Sequence, residues 1–442
     1  MKHYISALVL SVAVLTVRAN APLQLSGYEC RIMAVESSED IKRAENTIET
    51  SKLDVAIAKT AYLPKLDGNA TAIYNPFDYQ VGDVKLITKG TYLAGLNLTQ
   101  PIYAGGRISA ANKLAKIGAK ASEEQYRMTR MQTIADADNA YWTYVAVLQK
   151  VKMVESYMAQ MNNLYEVMDL RRLKGFLTKS DMLRVEAKRS EIEYQLQKCH
   201  NGADLCRMAL CRIIGVAYDT DIIPTDTVID VDRLDSFDYS VAERPEYKLM
   251  SLNVEASHHK IDLAKGEFLP SIGLSLGYSH YGNIRLKGNL PVSEGNSVYL
   301  NENIFNNGLT AMVGVKIPLF HWGEGIKKVK KARIEATNAR LEMEKNTRLL
   351  DLEIRQAISN LSSGYAMIET AALALRQAEA NLEAVRERFS VSKVTITDVL
   401  DAEAQWQQSY SNYIEARAQY RIYVTEYRRA TGTLTEQSDI DR

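Results

Sequence analysis

Proline is scarce, nine residues in 442, and its distribution is uneven. All nine lie outside 102–223 and 319–442, leaving two tracts of 122 and 124 residues without the residue most disruptive to a helix interior. Both tracts are rich in Ala, Leu, Glu, Lys, Arg and Gln, which are good helix formers. An excess of one charge is also missing: Lys+Arg and Asp+Glu each total 54, so no summed field draws the chain to nucleic acid or to an anionic surface. Cysteine is limited to Cys30, Cys199, Cys206 and Cys211. With 180–214 helical, Cys199 and Cys206 are separated by roughly 10 Å of rise, beyond disulfide reach. They read as packing residues, with a single bridge to Cys30 left open. No His or Cys recurs at ligand spacing, so no metal site is expected. The adjacent His258 and His259 would point in different directions on a helix.

Long apolar runs are missing beyond the N-terminus. Residues 1–21 carry Lys2 and His3, an apolar stretch from Tyr4 to Thr16, and the small-x-small triplet Ala19-Asn20-Ala21. This is the pattern of a secretory signal peptide, too short for a helix that must span with about 20 residues. Any membrane insertion of the remaining chain must therefore use β-strands. A G-x-x-x-x-G-K-[ST] phosphate loop is absent as well, so no ATPase activity, and no cofactor, is expected. Asp398 and Asp401, three apart on a helix, could be read as an acid/base pair, but no nucleophile, His or metal pattern accompanies them. The expectation is no enzyme.

What is present is a repeat. Pro101 recurs as Pro318, Thr178 as Thr395, Asp181 as Asp398, Leu183 as Leu400, Glu186 as Glu403 and Gly215 as Gly432, every pair 217 positions apart. Upstream, Ala58-Lys59 and Leu63-Pro64 match Ala264-Lys265 and Leu269-Pro270 at an offset of 206. The 11-residue difference must fall between Pro64 and Pro101, against Pro270 and Pro318, where a loop of variable length is expected. A duplication of this kind sets the whole architecture.

Each proline-free tract reads as a helical hairpin, 107–215 and 323–432. In the second, Leu350, Ile354, Ile358, Leu361, Tyr365, Ile368, Ala372 and Leu375 step by threes and fours, a coiled-coil seam. Helices of about 65 residues would reach roughly 100 Å. Between the prolines lie four segments of strand-like alternation, 65–76, 90–102, 270–282 and 309–320. Leu66, Gly68, Ala70, Ala72 and Tyr74 oppose Asp67, Asn69 and Thr71. Tyr92, Ala94, Leu96 and Leu98 oppose Gly95, Asn97 and Thr99. Ile272, Leu274, Leu276 and Tyr278 alternate with Gly273, Ser275, Gly277 and Ser279. Leu309, Ala311, Val313, Val315, Ile317 and Leu319 alternate with Thr310, Met312, Gly314 and Lys316. One apolar and one polar face per strand suits a membrane β-barrel with a wet interior, and a half-buried soluble sheet is the bland alternative. Tyr62, Tyr103, Phe268, Phe320 and Trp322 at one end, with Tyr74, Phe77, Tyr79, Tyr278 and Tyr281 at the other, read as two aromatic belts. Four strands cannot close a transmembrane barrel, whose known forms begin at about eight, so the chain is expected to oligomerise. The segments 77–90 and 283–308 are expected to be exterior loops.

The duplicated unit, with Leu-Pro before the strands, Gln-Pro or Ile-Pro after them, and Thr-x-x-Asp-x-Leu at each helical tip, resembles the TolC-like outer-membrane factor family. The segment Arg388 to Asp401 carries the resemblance most specifically, together with Arg244-Pro245-Glu246. The resemblance implies a trimeric α+β membrane protein, a helical coiled-coil barrel continuous with a transmembrane β-barrel, four strands per protomer. It divides the chain into the signal at 1–21, a first repeat at 22–223, an equatorial connector at 216–243, a second repeat at 244–432 and a tail at 433–442. Its implied function is a passive exit duct in the outer membrane, the helical part in the periplasm, for efflux or type I secretion. Its implied partners are two further copies, a periplasmic adaptor, an inner-membrane pump and outer-membrane lipid. Asp398 and Asp401 match the family's acidic rings at the periplasmic mouth. Asp181 matches an acid of the entrance lock, while Phe389 and Val394 stand where a Tyr and an Arg are usual. Adaptor docking is expected at Gly175, Leu177, Thr178, Ser392 and Thr395. The competing reading is a periplasmic coiled-coil adaptor or scaffold, which should carry one helical hairpin in soluble β-domains; here the hairpin occurs twice.

Overall fold

The computed structural model describes residues 22–173, 178–226, 229, 231, 233–234, 236–293 and 296–437. The signal segment 1–21 lies outside the described residues. In chain order the elements are β1 (Leu23–Leu25), α1 (Gly27–Ser37), α2 (Glu39–Thr60), β2 (Lys65–Ile73), β3 (Tyr79–Val81), β4 (Val84–Ile87), β5 (Thr91–Ala104), α3 (Arg107–Leu173) and α4 (Lys179–Ile214). They continue as β6 (Ile222–Pro224), α5 (Pro245–Gly266), β7 (Ser271–Ser293), β8 (Asn296–Lys316), α6 (Glu324–Ser390) and α7 (Ile396–Thr431). The offset of 217 recurs in both pairs of long helices: α3 and α6 are 67 residues each, α4 and α7 36 each. At 1.5 Å per residue the longer pair reaches roughly 100 Å.

The chain divides into two compact units, one of Met1–Arg43, Tyr126–Pro245 and Thr347–Arg442, the other of Ala44–Gln125 and Glu246–Asn346. In the first, the seam lies as the spacing predicts: Leu350 is buried, and Ile354, Ile358 and Leu361, with Tyr365 and Ile368 beside them, pack with Tyr420, Val424 and Tyr427 of α7. Cys30 and Cys211 are buried in a second cluster with Leu25, Tyr141, Leu210 and Ile222, and Cys206 packs against it. All four cysteines are unpaired, and burial raises the Cys30 thiol to about 12, so it behaves as a small apolar group. Among the described residues of 216–243 one short strand forms, β6, which pairs in parallel with β1, Leu23 against Ile222, a contact the sequence pattern gave no sign of, while Ile229, Leu234 and Phe237 pack against the helical cores.

A buried ion pair ties the first unit together. Arg31 on α1 holds Asp138 on α3 with Nε–Oδ1 at 2.6 Å and Nη2–Oδ2 at 2.9 Å, their side chains 3% and 0% exposed. Thr425 of α7 donates to the same carboxylate at 2.6 Å, and the Glu436 carbonyl accepts from Arg31 at 3.3 Å. Such a pair is stable only when every oxygen and proton is engaged.

The second unit contains a six-stranded sheet beside helical segments of α2, α3, α5 and α6. Its four long strands run antiparallel in the order β2-β5-β7-β8, and β4 takes the place of β5 along the upper part of β7, with β3 paired to β4. Register aligns the four apolar faces that alternation predicts into one. Leu66, Leu98, Leu276 and Ala311 form one row, and Gly68, Leu96, Tyr278 and Leu309 the next. The opposite face carries Asp67, Asn97, Gly277 and Thr310 in register, and there Ser275 donates to Asn97 Oδ1 at 2.8 Å. Phe320 and Trp322, 69% and 85% exposed, meet edge to face at 5.0 Å below the apolar face. Among the described residues no helix is long and apolar enough to cross a membrane.

Two expectations need correction. The segment 283–308 is not a loop: β7 and β8 run 23 and 21 residues and pair almost to their shared turn. The segment 77–90 holds the β3–β4 hairpin. Alternation weakens above Tyr281 because the register shifts between Tyr281 and Ile284, so a simple period of two does not continue through that point.

Candidate functional site at the helical tips

In the first unit the ends of α3, α4, α6 and α7 share one apolar core containing Tyr157, Met161, Met168, Met182, Val185, Leu382, Phe389, Ile396, Val399 and Trp406. Each returning helix opens with the same device. Thr178 is the N-cap of α4 and Asp181 its third residue: the Asp181 amide donates to Thr178 Oγ1 at 3.2 Å, and the carboxylate accepts from the Thr178 amide at 3.2 Å and hydroxyl at 2.6 Å. Thr395 and Asp398 repeat this at α7, with 2.7 Å for both bonds to the carboxylate. The Thr-x-x-Asp of both repeats is thus a reciprocal capping box with Asp in the acidic place. At the far ends, Gly215 and Gly432 close α4 and α7 in the left-handed conformation, φ 73° and 77°.

Asp398 and Asp401 are both exposed. The bonds from Thr395 hold the Asp398 carboxyl below its usual range, so it keeps its charge through ordinary pH. Phe389 is buried at 8% and Val394 packs beside it. Asp181 does not meet either of them within the chain; its bonds go to Thr178. Phe389 instead lies under the guanidinium of Arg171, 5.0 Å from the ring centroid, and Arg171 donates to the carbonyls of Phe389 and Ser390 at 3.3 and 3.1 Å. Arg171 therefore caps the C-terminus of α6 from the last turn of α3. Arg184, which occupies in the first repeat the place of Asp401, donates to Thr397 at 2.5 Å. Sequence reasoning missed both arginines; the repeat offset would have flagged Arg184. Gly175 and Leu177 lie outside the described residues. Thr178 and Thr395 are exposed N-caps, and exposed Ser392 sits at φ 57° in the turn after α6, where Gly is usual.

Glu403 was visible in the sequence only as a repeat match to Glu186. It is 1% exposed; Oε1 accepts from Arg386 at 3.0 Å, and Oε2 has no partner, as is also true of the Tyr157 hydroxyl in the same core. Burial raises its carboxyl above the usual range despite Arg386 and Lys188. The tip thus holds one acid that favours its charge and, five positions on, one that resists it.

Duplicated helical hairpins with capped tips and an amphipathic antiparallel sheet define the class: a channel subunit of the outer bacterial membrane. A family model described as outer membrane efflux protein matches residues 32–212 and 239–433, and the chain belongs to that family. It is similar to Outer membrane protein TolC of Vibrio cholerae, 24% identical over 392 residues covering 88% of this chain and 86% of that one. It is also similar to Outer membrane efflux protein BepC of Brucella suis, 24% over 404 residues, 90% and 83% covered, and to Alkaline protease secretion protein AprF of Pseudomonas aeruginosa, 21% over 438 residues, 93% and 85% covered. Among solved structures, the outer membrane protein VceC from Vibrio cholerae matches with a TM-score of 0.73 at 17% identity, covering 92% of this chain and 96% of that one. A structure of CusC matches with a TM-score of 0.76 at 15% identity, covering 94% and 95%. The chain is an outer-membrane channel subunit of the efflux and type I secretion class, and the adaptor or scaffold reading is set aside.

Proposed function

We propose that three copies of this chain assemble into a passive duct that receives substrate from an inner-membrane pump and a periplasmic adaptor and releases it outside the cell. The observation that carries the trimer is the sheet: four long antiparallel strands leave β2 and β8 as edges, and edges in hydrocarbon leave backbone groups unpaired. Three copies give twelve long strands, within the range of known barrels. Mass measurement in detergent is expected to return three chains; a stable lipid-inserted monomer overturns it.

At the helical tips, Asp398 and Asp401 form stacked carboxylate rings at the periplasmic mouth, and Gly175, Leu177, Thr178, Ser392 and Thr395 receive the adaptor. Asp398 both caps α7 and presents charge, because capping uses one carboxylate oxygen for both bonds from Thr395. Closure relies on packing of Phe389 and Val394, with Arg171 over the ring, in place of a polar lock to Asp181. Replacing Asp398 and Asp401 together by Asn keeps an oxygen for the cap and removes the charge. In planar bilayers this variant should lose cation preference and block by multivalent cations while the assembly stays intact. Unchanged selectivity and block would sink the ring assignment.

A further inference from the structure

The sheet reverses its polarity partway along. Up to Gly282, one face is largely apolar and the other largely polar, the apolar face being interrupted by His280, whose Nδ1 lies 2.5 Å from Asn307 Oδ1 in the row after Tyr278. Between Tyr281 and Ile284 β7 carries one more residue than β8, and Asn283, at φ 63°, donates its side-chain amide to the carbonyls of Lys89 and Gly90 at 2.9 and 3.0 Å. The extra residue turns the following side chains of β7 to opposite faces. At the same point β7 exchanges β5 for β4 as its neighbour, Tyr92 facing Gly282 and Ile87 facing Arg285.

Above the bulge the face continuous with the apolar surface carries Arg285 between Asn303 and half-buried Ile87, then Lys287 between Asn301 and Lys85. The five polar side chains are exposed. The other face carries half-buried Val84, Leu86, Ile284, Leu286, Leu300 and Ile304. Lys85 and Lys287 stand directly opposite one another across the strands, an arrangement that is unfavourable by itself. Neither lies on an edge strand, where a lysine would serve to deter pairing, since β4 sits between β3 and β7 and β7 sits between β4 and β8. Among the described residues of these strands no acid shares their face: Glu302 pairs with Leu286 on the opposite one. Arg285 is three residues beyond Gly282, about 10 Å along the strand from the last apolar row, and Lys287 about 17 Å.

We propose that Lys85, Arg285 and Lys287 form a site for the phosphate-bearing headgroups of the outer leaflet, bound where the apolar face ends. An anion between Lys85 and Lys287 relieves their repulsion, and the apolar rows below hold the acyl chains of the same lipid. The proposal rests on the outer-membrane placement and on the reading that the β7–β8 turn faces outward.

The test uses the full assembly purified in detergent, with lipid A as the bisphosphorylated probe and phosphatidylcholine as the neutral control, retention read by native mass spectrometry. A cation near an anionic lipid surface contributes roughly a fivefold gain in affinity. Changing Lys85→Gln, Arg285→Gln and Lys287→Gln together is therefore expected to weaken lipid A retention on the order of a hundredfold, leave phosphatidylcholine retention unchanged, and spare the oligomer. Lys85→Arg with Lys287→Arg should retain the lipid. Unchanged lipid A retention in the triple variant overturns the site. So does displacement of lipid A by excess inorganic phosphate, which would make this a small-anion site. A thiol at Asn296→Cys, at the start of β8 and away from the lysines, should react with an impermeant reagent on intact cells; protection there overturns the outward orientation itself, whereas reaction there with lipid A retention unchanged in the triple variant overturns the site alone.

Discussion

The two halves of the chain keep their helices and change their strands. Helices α3 and α6 match at 67 residues and α4 and α7 at 36, while β2 and β5, of 9 and 14 residues, correspond to β7 and β8, of 23 and 21. The difference follows from what each end touches. Every turn of a long coiled-coil helix buries side chains in a neighbour, so an insertion displaces all the later contacts. A hairpin lengthens at its turn without altering the register below it, and each added pair is satisfied by its own partner strand.

The largest way to break the comparison is at the helical unit's buried ion pair. Asp138→Ala leaves Arg31 buried without its carboxylate and Thr425 without its acceptor, and should cost about 3–5 kcal/mol. Thermal dissociation of the assembly in detergent, compared with wild type, measures it; a loss within experimental error would mean that Arg31 can reach water. Next come the paired glycines. A Cβ at Gly215 would lie 2.4 Å from Ser37 Cβ, and one at Gly432 2.8 Å from the Glu243 carbonyl carbon. Gly215→Ala and Gly432→Ala should each lose roughly 2 kcal/mol or more, from left-handed strain plus the clash. If one site tolerated Ala while the other did not, the two repeats would differ where their lengths agree.

A smaller effect separates two acids near the second tip. Glu403, raised in the fold above its unfolded value, favours the folded state increasingly as pH falls through that raised value, levelling off below the unfolded one. Asp398, lowered in the fold, contributes in the other direction: its stabilisation is present above its unfolded value and is lost as pH falls through the lowered one. Glu403→Gln should therefore flatten the stability gain seen on mild acidification and leave the loss at lower pH in place. A pH series of melting curves that was identical in the variant would rule this out. Ser392→Gly, which removes left-handed strain from a residue with a side chain, should stabilise by about 1 kcal/mol. Smallest of all, replacing Asn289–Tyr299 by a two-residue Asn-Gly turn should change melting by less than about 0.5 kcal/mol, because the strands there extend past the four-stranded region. A large loss would show that the extra length is structural after all.

Much of this was legible in the sequence because two periodicities and one offset are physical. The Leu350 to Leu375 seam reads at 3.5 because only that spacing keeps one face on a partner, and the four strands read at two because one face must be apolar. Thr395 and Asp398 were legible as a motif, though their bonding as a capping box emerges only with the backbone. What could not be read is contact across distance: Arg31 with Asp138, β1 with β6, and Arg171 over Phe389 each join residues about a hundred or more positions apart, with no local pattern marking either partner. The bulge at Asn283 hid the upper strands, since a single extra residue reverses the alternation on which the reading depended.

The carboxylate shared by Arg31 and Thr425 also sets a timetable. Arg31 comes early in the chain and Thr425 late, and both reach the Asp138 carboxylate on α3, sharing its Oδ2. Until α7 has arrived, Asp138 lacks one donor and Ile354, Ile358 and Leu361 lack Tyr420 and Val424. A chain lacking α7 therefore leaves the ionic pair short of a donor and the apolar seam of α6 uncovered. The last helix closes both gaps at once, so a chain truncated before α7 is expected to lose the polar and the apolar half of this contact together.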